Sequence, residues 1–196
     1  NVSSIGEADI IAAHQDGGTT CVQVFFYRAG QNYGTRTYFP NHAKSIPVDE
    51  VLEAFIGQFY SDKKPPKLVL VSHRLPSQDL MAEALTVRAD RKVDVSRPQR
   101  GSRRNLVENA VQNAADAHAR RLSESSTQRK LLEGVADLFD LEGTPRRIEV
   151  YDNSHISGTN ALGAMIVSSE EGFEKNAYRK FNIKNPDTVP GDDYAM

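Results

Sequence analysis

The stretch IIAAHQDGGTTCVQVFFYRAGQNYGTRTYF, residues 10–39, decides the fold of this chain. It contains three runs rich in β-branched and aromatic residues, and the glycine-containing segments Asp16–Gly18 and Gly30–Asn32 separate them. Short glycine turns between such runs are typical of β-hairpins. The stretch therefore predicts an antiparallel meander of three strands, which are Ile10–Ala13, Cys21–Tyr27 and Tyr33–Phe39.

Beyond the meander, helical and strand patterns alternate. Apolar residues follow a 3.6-residue repeat over Val48–Phe59, with two carboxylates in the first turn, which predicts an amphipathic helix. The continuous apolar run Leu68–Val71 predicts a buried strand. A shorter helix around Leu80–Leu85, a strand at Val93–Val95 and a long helix over Ser102–Leu122 are expected to follow.

The polar segment Ser123–Thr127 (SESST) predicts a break after the long helix, and one more helix is expected over Leu131–Phe139. Residues 9–122 then have the order β-β-β-α-β-α-β-α, which is the order of the ribonuclease H-like fold. Several α/β folds share most of this order, so the order alone is a modest signal. We expect an α/β protein with a mixed, ribonuclease H-like sheet.

The strand pattern starts again after Pro145. Three more strands on turns are predicted, namely Ile148–Asp152, Ala161–Val167 and Tyr178–Ile183, and Pro190–Asp193 has the signals of a helix start. We interpret this as an internal repeat, with one complete copy followed by the first three strands of a second. The predicted domains are residues 1–125, a helical linker at 126–145 and a truncated second domain at 146–196.

Composition excludes several classes of protein. The 196 residues include 24 Lys and Arg against 26 Asp and Glu, and 39% are hydrophobic. A near-zero net charge with this apolar share argues against bulk disorder, and no apolar run approaches the length of a membrane span. The single cysteine, Cys21, cannot form an intrachain disulfide, which favours a reducing, cytoplasmic location. Because the chain begins with Asn1 rather than Met, we expect a piece of a longer product.

Two features suit contacts with nucleic acid, and each has a structural alternative. The segment from Arg88 to Arg104 contains seven basic residues and two acidic ones. This basic window is either a phosphate-contacting stripe or a solvated helix end and loop. The candidate stripe consists of Arg97, Arg100, Arg103 and Arg104. An aromatic cluster can stack bases, although packing in the sheet is the more common role. Its members are Phe25, Phe26, Tyr27, Tyr33, Tyr38 and Phe39.

Two carboxylates are candidate metal ligands in the second copy. Asp152 ends a half-buried predicted strand, and Asp193 lies 41 residues later at the predicted helix start. In a ribonuclease H-like sheet these positions are adjacent, so the pair could bridge Mg²⁺ or Mn²⁺ for phosphodiester hydrolysis. The alternatives are a turn residue for Asp152 and a helix cap for Asp193. His155 either supports the ligands, contacts a phosphate or is an ordinary loop histidine.

The first copy keeps at most one of these ligand positions. By strand register His14 corresponds to Asp152, although a shift would bring Asp16 near that point. The carboxylates Asp49–Glu50 fall where the second ligand lies, but a third carboxylate is replaced by Ser72–Arg74 (SHR). We therefore expect the complete copy to be a scaffold or a nucleic-acid-binding domain without a catalytic centre.

Six segments in a characteristic order extend this interpretation. They are Gln23–Phe26, Gly30–Asn32, Pro98–Gly101, Tyr151–His155 (YDNSH), Tyr178–Ile183 (YRKFNI) and Gly191–Met196 (GDDYAM). Together they closely resemble the UvrC family, the nuclease subunit of the bacterial excinuclease. The resemblance covers essentially the whole chain, and the DNSH and GDDYAM segments are highly specific to the family.

The resemblance implies a nucleotide-excision-repair nuclease that cuts damaged double-stranded DNA on both sides of a lesion and works with a UvrB–DNA complex. The family uses a GIY-YIG domain for the 3′ side and a ribonuclease H-like domain for the 5′ side. Carried over by position, Asp152 is its first catalytic, metal-binding Asp, and Asp193, rather than Asp192, is its second. The third Asp, the catalytic His and the helix-hairpin-helix pair would lie beyond Met196, and the GIY-YIG domain and UvrB-contact motif before Asn1. We therefore expect a middle fragment that is inactive by itself.

Overall fold

The computed structural model describes residues 6–156 and 159–184. The chain divides into two compact units, Asn1–Arg120 and Arg121–Met196. The first unit is an α/β structure and the second contains an antiparallel sheet. No helix within the described ranges is long and apolar enough to cross a membrane.

The first unit is built on a five-stranded mixed sheet. Its strands are β1 (Ala8–Asp16), β2 (Thr19–Arg28), β3 (Gln31–Tyr38), β4 (Leu68–Val71) and β5 (Asp94–Ser96). Their spatial order is β3-β2-β1-β4-β5. The pairs β1–β2 and β2–β3 are antiparallel, whereas β4 is parallel to β1 and β5 is parallel to β4. The predicted meander and the predicted mixed, ribonuclease H-like sheet are confirmed.

Helices cover both faces of this sheet. Successive strand residues point to opposite faces, and apolar residues on each face pack against helices. The helices are α1 (Val48–Phe59), α2 (Gln78–Ala89) and α3 (Gly101–Leu138). On one face, Ile11 belongs to a buried cluster with Leu52 of α1 and Leu85 of α2. On the other face, Ile10 belongs to a cluster with Leu106 of α3. The adjacent residues Ile10 and Ile11 therefore serve two different cores.

The predicted break at Ser123–Thr127 is wrong, because α3 runs through it. The segment contains neither glycine nor proline, so no residue in it imposes a helix end. The Thr127 hydroxyl also donates a hydrogen bond to the Ser123 carbonyl oxygen (3.0 Å), a local bond that a continuous helix accommodates. The polar composition of the segment reflects solvent exposure rather than a helix end.

The second unit contains the strands β6 (Arg147–Ile156), β7 (Thr159–Ser169), β8 (Gly172–Phe173) and β9 (Arg179–Asn182). The strand β7 pairs antiparallel with each of the other three. The three predicted strands are therefore confirmed as β6, β7 and β9, and β8 is an additional short strand. The predicted helix start at Pro190–Asp193 lies outside the described residues.

The strands β1 and β6 begin the two copies but have different neighbours. The strand β1 lies between β2 and β4, so both of its edges are paired. Within the described residues β6 pairs with β7 alone. The apolar side chains of Val150 and Tyr151 on β6 are exposed, whereas Ile10 and Ile11 on β1 are fully buried. The strand β6 is therefore accessible where β1 is enclosed.

Candidate functional site

Asp152 lies inside β6, opposite Ala164 of β7. The prediction that the strand ends at Asp152 is wrong, because the ladder continues to Ile156, and this also excludes the turn alternative. Its side chain is exposed, and strand alternation places it on the same face as Val150 and Ser154. An exposed carboxylate held in a strand ladder has a fixed backbone position and remains open to a cation.

The opposite face of β6 has a second carboxylate, Glu149, and both of its oxygens already accept hydrogen bonds. The Tyr151 hydroxyl donates to its Oε2 (2.6 Å), and Arg147 Nε donates to its Oε1 (2.7 Å). Both hydrogen bonds lower the pKa of Glu149, and the one from Tyr151 has the larger effect. The hydrogen bond between Tyr151 and Glu149 also raises the pKa of Tyr151. Asp152, in contrast, has no hydrogen bond or ion pair with any described residue. On β6 it is therefore the carboxylate available to a ligand.

The other predicted residues of this site fall partly or wholly outside the described part of the chain. The backbone of His155 lies where the β6–β7 register shifts, between Ser154 and Ile156, but its side chain is not among those described. Asp193 is outside the described residues altogether. Among the residues that the structure does describe, no group of three or more His, Cys, Asp and Glu could hold a metal ion. A metal site at Asp152 and Asp193 therefore stays a prediction.

Counted back from the two hairpin turns, the residue at the position of Asp152 is Ala12, two residues before the predicted His14. The last paired residues of the two hairpin strands are Asp16 in β1 and Ile156 in β6. Asp152 precedes Ile156 by four residues, and the residue four before Asp16 is Ala12. The side chain of Ala12 is fully buried. The first unit thus has a small apolar side chain in its core where the second unit has an exposed carboxylate.

Ser72 and His73 follow β4, at the position of the absent third carboxylate. The Ser72 hydroxyl accepts a hydrogen bond from the Ala13 N–H (3.0 Å) and lies 2.8 Å from His73 Nδ1. Because its oxygen already accepts from the backbone, the hydroxyl can donate to that ring nitrogen. Burial lowers the pKa of His73, the charge of Arg97 lowers it further, and Asp49 opposes both. This edge therefore has an imidazole and a guanidinium cation beside Asp49, whereas a site for two hard metal ions needs several oxygen ligands.

Ion pairs distinguish six of the seven cations of the basic window, and the seventh, Arg88, donates a hydrogen bond to the Lys63 carbonyl oxygen (3.3 Å). Three of its cations are compensated, in the pairs Arg91–Glu7 (3.0 Å), Lys92–Asp94 (3.7 Å) and Arg104–Glu108 (2.7 Å). Arg97, Arg100 and Arg103 are exposed and form no ion pair with any residue in the described ranges. We refer to these three arginines as the basic edge. Of the four arginines predicted as a stripe, Arg104 is thus occupied and the other three are available.

Sequence reasoning missed that His73 lies next to Arg97 of the basic edge. His73 follows β4 and Arg97 follows β5, and these strands are parallel neighbours, with Leu70 paired to Ser96. Their carboxyl ends therefore meet at one edge of the sheet. The signal was available in the α/β order, because consecutive strands joined by a helix tend to be neighbours.

Two family models match the chain. The model described as "UvrC Ribonuclease H-like domain" matches residues 7–121, and the model described as "UvrC RNAse H endonuclease domain" matches residues 136–196. The chain therefore belongs to the UvrC family, and the resemblance inferred from its motifs is confirmed.

Curated relatives named "UvrABC system protein C" align with the whole chain. The relative from Chelativorans sp. (strain BNC1) is 57% identical over 196 residues, an alignment that covers 100% of the chain and 30% of the relative. Those from Nitrobacter hamburgensis and Rhodospirillum rubrum are 55% and 56% identical, again over 100% of the chain, with 28% and 31% of the relative covered. The chain thus spans about 30% of the length of these relatives.

Proposed function

We propose that the chain is the central part of a nucleotide-excision-repair endonuclease that cuts damaged DNA on the 5′ side of a lesion. The observation that carries this proposal is the exposed carboxylate of Asp152, which has no partner among the described residues and lies inside the range that matches a UvrC endonuclease-domain model. Because the chain spans about 30% of its relatives, the activity is proposed for the longer protein. We expect the chain by itself to have negligible nuclease turnover.

Asp152 and Asp193 are the proposed ligands of Mg²⁺ or Mn²⁺. Carboxylate oxygens suit these hard cations, and the described surroundings of Asp152 fit such a role because no neighbour occupies its oxygens. Ions bound there would activate a water and stabilise the leaving oxygen of a phosphodiester. The contribution of β6 is to hold one carboxylate at a fixed position through its pairing with β7. His155 is proposed to support the ligands or to contact a phosphate.

A nicking assay on damaged duplex DNA tests this proposal. It compares the chain with a version extended by about 150 residues of the longer protein, roughly one domain, in Mg²⁺ and in Mn²⁺. We expect nicking by the extended wild-type protein only, and loss of nicking in extended Asp152→Asn. Glu149→Gln is the matched control, because that carboxylate lies on the opposite face of the same strand and should be dispensable for nicking. Full activity of Asp152→Asn would contradict the proposal.

A second candidate function is metal-independent DNA binding by the first unit. The basic edge favours it, because its three exposed guanidinium groups have no ion pair with any described residue, and one of them, Arg97, acts electrostatically on the half-buried His73. Guanidinium groups bind phosphate oxygens in fork geometry and release condensed counterions from the duplex. The first unit has Ala12 and Ser72 at two of the carboxylate positions, so this function would be binding without cleavage.

The salt dependence of DNA binding tests the second function. Each lost phosphate contact should reduce the slope of log K against log salt concentration by about 0.9. We expect the double variant Arg100→Ala/Arg103→Ala to reduce the slope by about 2, and Arg104→Ala to change it less, since Glu108 already holds that side chain. An unchanged slope in the double variant would assign these arginines to the solvated surface.

The proposed partners are damaged double-stranded DNA and UvrB in a UvrB–DNA complex, and the proposed location is the cytoplasm. The relatives support this only through the name "UvrABC system protein C", which describes them as members of a multi-protein system. A mobility-shift assay tests the partnership. We expect the longer protein to retard a preformed UvrB–DNA complex at concentrations that leave naked duplex unshifted, and equal retardation of both would contradict it.

A further inference from the structure

A groove beside the β2–β3 hairpin of the first unit combines aromatic rings with cations. Its volume is about 460 Å³, within the range of about 300–1,000 Å³ that is typical of ligand sites. The described residues that line it include no carboxylate. They include Phe26, Tyr33, Gly34, Arg36, Phe59 and Lys63. Neither Asp152 nor any arginine of the basic edge lines the groove.

A β-bulge sets the position of Tyr33. In the β2–β3 ladder Phe26 pairs with Gly34 and Tyr27 pairs with Asn32, so Tyr33 is the extra residue on β3. A bulge residue is released from strand alternation, and bulges at sheet edges commonly re-aim a side chain next to a functional site. Tyr33 is 82% exposed, whereas Tyr27 is buried in the core. Within the aromatic cluster, Tyr33 is therefore presented to solvent.

The groove has an aromatic floor. The rings of Phe26 and Phe59 are stacked, with centroids 6.3 Å apart and 26° between their planes. Gly34 is the partner of Phe26 across the ladder, and a Cβ at Gly34 would lie 3.9 Å from Phe26 Cδ2. Because glycine has no side chain to cover that ring, half-buried Phe26 remains accessible from the groove. A planar group entering here would meet Tyr33 and Phe26.

Positive charge lies beside these rings. Arg36 is exposed and has no hydrogen bond or ion pair with any described residue. Lys63 Nζ lies 4.8 Å from the centroid of the Phe59 ring and 2.9 Å from the Asp62 carboxylate. Arg28 is held by its own ion pairs. Arg36 is thus the cation most available to an anionic ligand, with Lys63 second.

We propose that this groove binds an unpaired nucleotide of a single-stranded nucleic acid segment. Tyr33 and Phe26 offer ring faces to the base, and Arg36 and Lys63 contact the adjoining phosphate. Stacking on aromatic side chains is tolerant of sequence, because every base has a π-face. A base inside a duplex cannot present that face, so the groove distinguishes unpaired from paired strands. The site goes beyond the proposed nuclease and does not depend on its metal ligands.

Fluorescence anisotropy of the full chain tests this proposal. The probes are a labelled oligothymidylate of about 12 nucleotides and a labelled hairpin duplex, both in EDTA. We expect the chain to bind the single strand more tightly than the duplex, and Tyr33→Leu to weaken single-strand binding by about 5- to 150-fold. Tyr33→Phe should retain binding because it keeps the ring. Gly34→Val should weaken it as well, since it fills the groove without removing a contacting side chain.

Matched controls separate the groove from general surface effects. Val87→Ala replaces an equally exposed apolar side chain (82%), and Lys92→Ala removes an exposed cation elsewhere in the first unit, so neither should change single-strand affinity. Arg36→Ala should lower the salt slope for the single strand by about 0.7. Unchanged affinity in both Tyr33→Leu and Gly34→Val would overturn the proposal, as would equal binding of both probes by the Arg100→Ala/Arg103→Ala variant, which lacks the duplex contacts proposed for the basic edge. Neither result would affect the Asp152 nicking test.

Discussion

Asp9 is a buried carboxylate near the start of β1, and its replacement tests how the first unit is held together. Its side chain is 3% exposed and accepts hydrogen bonds from the Tyr60 hydroxyl (2.7 Å) and from Arg28 Nη1 (2.9 Å). The same Arg28 nitrogen also donates to the carbonyl oxygens of Ala8 and Tyr27. Asp9→Asn keeps the shape of the side chain, but it removes the charge and points an N–H donor at a group that also donates.

The expected magnitude follows from these contacts. A hydrogen bond to a charged group contributes about 1.5–3 kcal/mol, and removing one partner of a buried ion pair costs about 3–5 kcal/mol. Arg28 is 37% exposed and keeps its ion pair with Glu7 (3.9 Å) in this variant, so the lower end applies. We expect Asp9→Asn to lower the free energy of unfolding of the first unit by about 3 kcal/mol. Tyr60→Phe leaves the ion pair in place and should cost about 2 kcal/mol.

Hydrogen exchange at the amides of β1 and β4 measures this change, because amides in central strands exchange through opening of the whole unit. A loss of 3 kcal/mol corresponds to exchange that is roughly 150-fold faster. Asp16→Asn is the matched control: Asp16 is an exposed carboxylate at the other end of β1, and its replacement should change stability by less than about 0.5 kcal/mol. Equal exchange rates in the two variants would refute the reasoning, because the buried pair would then contribute no net stability.

Three further results are expected. Burial is the main cause that raises the pKa of Tyr60 well above 10.0, and the charge of Asp9 raises it further. The stability due to the neutral phenol is therefore complete below pH 10 and is lost as the pH rises through the raised pKa. Tyr60→Phe should remove this loss of stability at alkaline pH, measured by thermal unfolding. Ser72→Ala leaves the buried Ala13 N–H without its acceptor and should cost about 1–3 kcal/mol, measured as faster exchange of that amide. In an NMR titration the lowered pKa of Glu149 should rise in Tyr151→Phe, and an unmoved value would contradict their hydrogen bond.

Strands were predictable from the sequence where their signals are local. The strand β4 has the bounds that its apolar run predicts, Leu68–Val71, because a strand buried on both faces needs a continuous apolar run. The strand β1 is longer than its apolar run, since pairing with β2 continues through polar residues to Asp16 at the turn. Counting from the apolar run instead of the turn is what aligned His14, rather than Ala12, with Asp152.

The candidate site was predictable only in part, because some of its features depend on distant pairing. Asp152 and the basic edge could be identified as charged residues beside predicted elements. The occupation of Arg104 by Glu108 is a local i, i+4 pair and was within reach of sequence reasoning. The proximity of His73 to Arg97 depends on which strands are neighbours, and the exposure of Tyr33 depends on a one-residue bulge. Residue spacing along the chain encodes neither of these.

The two copies use one hairpin position in opposite ways, and burial provides the physical reason. The strand β1 is paired on both edges and covered on both faces, so a carboxylate at Ala12 would be buried without donors, at a cost of several kcal/mol. The carboxylate that β1 does bury, Asp9, has Arg28 and Tyr60 as donors. Asp152 is exposed on a strand with one described neighbour, so its charge costs little there and stays available to a cation. The first unit therefore buries a small apolar side chain at this hairpin position, whereas the second exposes a carboxylate there, as the proposed metal site requires.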